Sequence, residues 1–189
     1  MASSGPNSPG TISNNAGIGS SSWTNISNVS ASDNSSAYNV AVGPLGNVTS
    51  NYIWCTNFGF SIPSGSTING ILVEVEGSSS ADNSSYYTVT NTIKLIKGGA
   101  ITGNNKGDDS THWGTSDSYM SYGSSSDLWG ATLSYTDVNA SNFGVALAVR
   151  MFAYGKTNTF GYVDHIRMTI TYTTGGGGGS SSALLLVSD

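Results

Sequence analysis

Six residues of one loop-rich stretch carry the side chains from which a sugar site is built. Trp113, Asp117, Tyr119, Tyr122, Asp127 and Trp129 combine aromatic faces, which stack on sugar rings, with carboxylates that hold hydroxyl groups. Each tryptophan is followed by glycine, a pairing that also suits a ring closing a core or a contact between subunits. The spacing leaves both readings open.

Other residue types offer less. Glu74 and Glu76 lie two apart on one strand, about 7 Å by strand rise, and a glycosidase needs two facing carboxylates. A solvated strand face explains the same spacing. His112 and His165 are far apart in sequence, and alternation along a strand sends Asp164 to the face opposite His165. No G-x-S-x-G elbow, P-loop or metal-type His/Cys spacing occurs,. The expectation is a non-enzymatic protein without a cofactor. Asp33-Asn34, Asp82-Asn83, Asp108-Asp109 and Asp117-Ser118 put oxygen donors in loops, as calcium requires. None has EF-hand or glycine-rich nonapeptide spacing, and Asx residues shape turns without a metal, so no metal site is assigned. Cys55 is the single cysteine; within Tyr52-Ile53-Trp54-Cys55 it reads as a buried, inert thiol.

The elements that must position these residues follow from composition. Charged residues make up 9% and hydrophobic residues 37%, with 25 glycines, and Ser, Thr and Asn supply most of the rest. Such residues compete for backbone hydrogen bonds in helices and favour turns, so many strands joined by turns are expected. Net charge is −5 with six Lys and Arg. No basic stripe exists to follow a phosphate backbone, which argues against nucleic acid. The N-terminus has no basic and apolar secretory pattern, and no segment reaches membrane-spanning length. Synthesis in a host cytoplasm is expected.

Strands are expected at Ala37–Val42, Tyr52–Ile62, Ile68–Gly77, Tyr86–Lys97, Phe143–Tyr154 and Val163–Thr173. Ile71, Val73 and Val75 alternate with Leu72, Glu74 and Glu76, the pattern of a half-buried strand. Phe143–Tyr154 is apolar on nearly both faces and reads as central. Ile166, Met168, Ile170 and Tyr172 should point inward. Strand signals weaken between about 100 and 142. Roughly eight strands with such turns imply an all-β, antiparallel two-sheet sandwich, jelly-roll-like, with extended arms at both ends.

Three zones divide the chain. Residues 1–20 hold little to bury and read as an extended N-terminal arm, mobile unless a neighbour orders it. Residues 21–174 form the sandwich. Residues 175–189 are a Gly/Ser linker followed by Ala183, Leu184, Leu185, Leu186 and Val187. That apolar pentamer is too short for a membrane, and a flexible linker gives it the reach to dock on a partner's sheet edge or groove.

Two sets of residues bring known families to mind. Phe58-Gly59-Phe60-Ser61-Ile62-Pro63-Ser64-Gly65-Ser66-Thr67-Ile68, continuing to Glu76, resembles the strand–turn–strand of carbohydrate-binding-type jelly rolls. Ser22-Trp23-Thr24-Asn25, Trp113-Gly114-Thr115-Ser116-Asp117, Asp127-Leu128-Trp129-Gly130, the run from Asp137 to Val145, and Val163-Asp164-His165-Ile166 resemble a domain that recurs in tailed-bacteriophage structural proteins. The resemblance covers most of the chain and supplies no catalytic motif. It implies a capsid decoration, head-fibre or tail-associated protein on the virion surface. Its partners would be other virion subunits, and its state a homo-oligomer, a trimer by analogy. A carbohydrate- or receptor-binding adhesin, with a host glycan as ligand, is the alternative.

Overall fold

The computed structural model describes residues 1–44 and 46–175. Among them are twelve strands: β1 (Ala2–Asn7), β2 (Thr11–Asn15), β3 (Ala37–Ala41), β4 (Gly46–Thr49), β5 (Tyr52–Thr56), β6 (Thr67–Ser79), β7 (Tyr86–Lys97), β8 (Ala100–Thr102), β9 (Asp108–His112), β10 (Ser118–Ser124), β11 (Gly144–Ala153) and β12 (Thr159–Thr173). One short helix, α1 (Tyr135–Asn139), opens on a capping box between Ser134 and Asp137,.

The strands form two antiparallel sheets packed as a sandwich. The five-stranded sheet runs β1-β12-β6-β10, with β3 also on β12; the seven-stranded sheet runs β2-β5-β11-β7-β8, with β4 on β11 and β9 on β7. The chain passes back and forth between sheets, in the manner of a jelly roll. Between them lies one core of Ile71, Val73, Val75, Ile93, Leu95, Val145, Leu147, Ile166, Met168 and Ile170, all 0% exposed. The alternation read in β6 and in the second half of β12 places six of these residues; Ile93 and Leu95 come from β7, and Val145 and Leu147 from β11. As expected, β11 is central, flanked by β4 and β5 on one side and β7 on the other. Its outward Ala146 and Ala148 are also buried, within a second small cluster with Tyr52 and Ile96.

Several boundaries move. The strand expected over Tyr52–Ile62 ends at Thr56; Asn57 and Gly59 follow with φ of 58° and 67°, which a strand cannot contain. Residues 1–20 are extended but not free: Ala2–Ser4 pair with Tyr172–Ile170, and Thr11–Asn15 pair with Thr56–Tyr52. The neighbour that orders them is the domain itself, so the sandwich starts near Ala2 rather than at residue 21. These edge strands hold by main-chain hydrogen bonds, which need no apolar side chain. Residues 100–142 contain β8, β9, β10 and α1. The C-terminal pentamer Ala183–Val187 lies outside the described residues.

Candidate functional site

Of the six residues singled out between 113 and 129, Trp113 and Tyr122 line one cleft and the other four do not. Trp113 and Trp129 are core residues, 1% and 0% exposed. Trp113 donates Nε1–H to Thr90 Oγ1 at 2.9 Å, and Trp129 donates to the Ile71 carbonyl at 3.0 Å. Each ring seats on a glycine. A Cβ at Gly77 would come within 2.8 Å of the Trp113 ring, and one at Gly123 within 2.5 Å of Trp129 Nε1. The residues after β10 bend back through Trp129 itself, whose φ is 59°. Both rings are enclosed and pack; Trp113 also forms part of the wall of a cleft beside Tyr122.

Asp127 serves this turn. It accepts the Trp129 N–H at 2.7 Å and pairs with Lys106 at 2.7 Å, and the Lys106 ammonium holds its carboxyl below the ordinary value. Tyr122 hydrogen-bonds to Thr90. It lines a cleft of ≈ 250 Å³ with Thr90, Lys106, Asp108, Thr111, Trp113, Met120 and Ser121. The cleft opens where edge strand β10 of one sheet meets β9 of the other. Asp108 at its rim accepts bonds from Ser110 and Thr111, which lower its pKa to about 2, so it is anionic at any physiological pH.

Asp117 and Tyr119 belong to a different place, the outer face of the five-stranded sheet. There β10, β6 and β12 align Tyr119, Glu76 and His165 in one row, and Ser121, Glu74 and Arg167 in the next. Arg167 grips Glu74 with two bonds of 2.8 and 2.9 Å and lies 3.8 Å from the Tyr119 ring centroid. Glu74 is therefore engaged in a bidentate ion pair. His165 meets Tyr119 Oη at Nδ1 and Ser8 Oγ at Nε2, both at 2.9 Å. Burial pushes its pKa down, so the ring is neutral at pH 7.

The expectation that Asp164 and His165 point to opposite faces fails, for a local reason. Register slips between Val163 and His165, a β-bulge that inserts one unpaired residue and breaks alternation. Asp164 is that residue. A carboxylate oxygen from each of Glu76, Asp117 and Asp164 lies within 4.8 Å of the others. Asp164 is 1% exposed, and its Oδ2 accepts the Asp33 and Asn34 N–H groups at 3.2 Å. Burial, and then the charges of Glu76 and Asp164, raise the Asp117 pKa. Glu76 thus faces two carboxylates, which a hydrolase would want. Yet Asp164 is sealed beneath the loop of Asp33 and Asn34, and none of the three lines the cleft. The slip was readable in principle: Val163 and Ile166 both want the core but stand three apart, which unbroken alternation forbids.

The remaining paired aspartates act as turn and ion-pair residues. Asp33 accepts from Ser35 N–H, Asn83 from Ser85 and Tyr86, and Asp109 from Arg150 at 2.9 Å. Asp82 meets His112 at 2.8 Å. Cys55 is fully buried, and burial raises its thiol pKa, which makes it unreactive.

One surface feature was absent from the sequence reading. On the outer face of the seven-stranded sheet, Tyr87 stacks between His112 (3.8 Å between centroids) and Phe152 (4.3 Å). Tyr154 continues the row at 5.8 Å and is 54% exposed. Tyr87 and Phe152 are register partners on β7 and β11, so the row depends on a strand pairing that no local pattern encodes.

These elements define an all-β, two-sheet sandwich carrying polar and aromatic surfaces. No family model matches the chain, and no curated protein matches it. One solved structure, described as "CBM4 structure and function", aligns at 14% identity and a TM-score of 0.35, covering 73% of this chain and 85% of that one. A likeness at that level carries nothing about binding to this chain.

Proposed function

We propose that the chain is a non-enzymatic structural subunit of a bacteriophage-type virion surface, held among like copies and neighbouring proteins by non-covalent contacts. The observation that carries this reading is the aromatic row His112–Tyr87–Phe152–Tyr154. Face-to-face stacking covers the flat faces of Tyr87, so the row turns largely ring edges outward. Ring edges and a half-exposed tyrosine suit a protein interface, where tyrosine and arginine concentrate binding energy. They suit a flat sugar less well. Arg150 and Asp109 flank the row as an ion pair, the polar border such a patch needs. The scarcity of charge fits dense packing of many copies, since long-range repulsion between them stays small.

The docking role of Ala183–Val187 and the trimeric state belong to this proposal. Particle incorporation tests it: Tyr87→Ser combined with Tyr154→Ser should reduce incorporation at least tenfold while the circular dichroism spectrum stays that of the parent. Full incorporation of the double variant would remove the surface from the proposal.

The cleft of ≈ 250 Å³ bounded by Tyr122, Asp108, Thr111, Ser121 and Lys106 supports a second reading, recognition of a host glycan. Its hydroxyl, carboxylate and ammonium groups are those that bind sugar hydroxyls. Glycan retention that Ser121→Tyr abolishes, with particle incorporation intact, would favour it.

A further inference from the structure

We propose that Glu76, Asp117 and Asp164 bind a hard divalent cation, calcium, that ties the loop before β10 to strands β6 and β12. The first observation is their convergence: one carboxylate oxygen from each lies within 4.8 Å of the others, although the residues come from three separate segments. The second is independent of proximity. Asp164 is 99% buried by its 1% exposure, and its Oδ1 has no hydrogen-bond partner. Oε2 of Glu76 is also buried and unpartnered. A buried carboxylate oxygen without a donor costs several kcal/mol in principle and is rare in folded proteins. Two such oxygens, on carboxylates that converge on one point, leave a place for a ligand that accepts their lone pairs.

Among the described residues no ion pair reaches Glu76 or Asp164. Arg167, the closest guanidinium in the register, is spent on Glu74 in a bidentate pair. The two ring nitrogens of His165 are engaged by Ser8 and Tyr119. The backbone N–H groups of Asp33 and Asn34 reach Oδ2 of Asp164 and leave Oδ1 free. Those two donors orient the carboxylate as outer partners of a metal ligand commonly do.

The donor set selects the ion. Three carboxylates and no free nitrogen or sulfur exclude a soft preference and point to calcium, magnesium or manganese. Oxygens within 4.8 Å of each other are near the spacing of ligands held about 2.3–2.6 Å from one calcium, which small side-chain shifts complete. Magnesium keeps most of its waters and commonly binds through one or two carboxylates, whereas calcium accepts several protein oxygens in irregular geometry. The bulge at Asp164 is what makes the site: without the extra residue, one of Asp164 and His165 would face the core.

Calorimetric titration of the full chain with CaCl2, after treatment with chelator, tests this. One ion per chain should bind, with a melting temperature higher by roughly 5–10 °C once free calcium is about 100 times Kd. Asp117→Asn, a change at an exposed residue that leaves the buried groups intact, should weaken binding at least tenfold and abolish the shift. Glu76→Gln should do the same and serves if the first variant fails to fold. No heat and no shift at millimolar calcium would overturn the site, as would a shift that survives in both variants. Magnesium binding as tightly as calcium would overturn the assignment of the ion.

Discussion

Trp113 and Trp129 illustrate how one residue type serves two chemistries and how burial decides between them. An indole that stacks on a sugar must present a face, whereas both rings here are enclosed, each against a glycine and with its N–H satisfied internally. Trp113→Ala is therefore expected to cost about 3–5 kcal/mol of stability, read as a lowered denaturant midpoint. Asp127 gives a pH prediction. Its folded-state pKa is held down by Lys106, so its contribution is present above the unfolded value of about 3.9 and is lost as pH falls through the folded value. The pair is about 30% exposed on each side (30% and 28%), which limits the effect to under about 1 kcal/mol. In Lys106→Met the Asp127 carboxyl resonance should titrate closer to the ordinary aspartate range, and the acid limb of the stability curve should flatten. An unchanged midpoint for Asp127 would show that the ammonium does not set it.

At the level of elements, alternation made β6 and the second half of β12 legible, because Ile71, Val73, Val75, Ile166, Met168 and Ile170 have period two and one wet face. The two-sided apolar run made β11 legible as central. Two kinds of element escaped. The edge strands β1 and β2 carry Ser, Asn, Gly and Pro and hold through backbone pairing, so side-chain pattern has nothing to register. The bulge at Asp164 shifts parity within β12, and with it the carboxylates that meet across β6 and β10. Of the six residues picked out for a site, Asp117 proved to share a cluster, but its companions Glu76 and Asp164 arrive by register, a long-range property. The pairing of β1 with β12 and of β2 with β5 makes a direct prediction. A chain beginning at residue 17 should lose several degrees in melting temperature and expose the β12 and β5 edges to association. If residues 1–16 were a loose arm, deletion would leave melting and solubility unchanged.

The whole molecule joins a two-sheet sandwich to an outward aromatic row and few charges, the features on which the proposed assembly role rests. The interface would centre on Tyr87, Phe152 and Tyr154, with Arg150–Asp109 at its border. For the proposed trimer this patch must meet a different surface of the next copy, a head-to-tail contact that closes into a ring. Among the described residues no helix is long and apolar enough to cross a membrane. The most direct test is the solution mass of the full chain by sedimentation velocity, beside Tyr87→Ser/Tyr154→Ser, at micromolar concentration. A closed oligomer is expected for the parent and a folded monomer for the variant. A monomeric parent, or a variant with the parent's mass, would contradict the proposal.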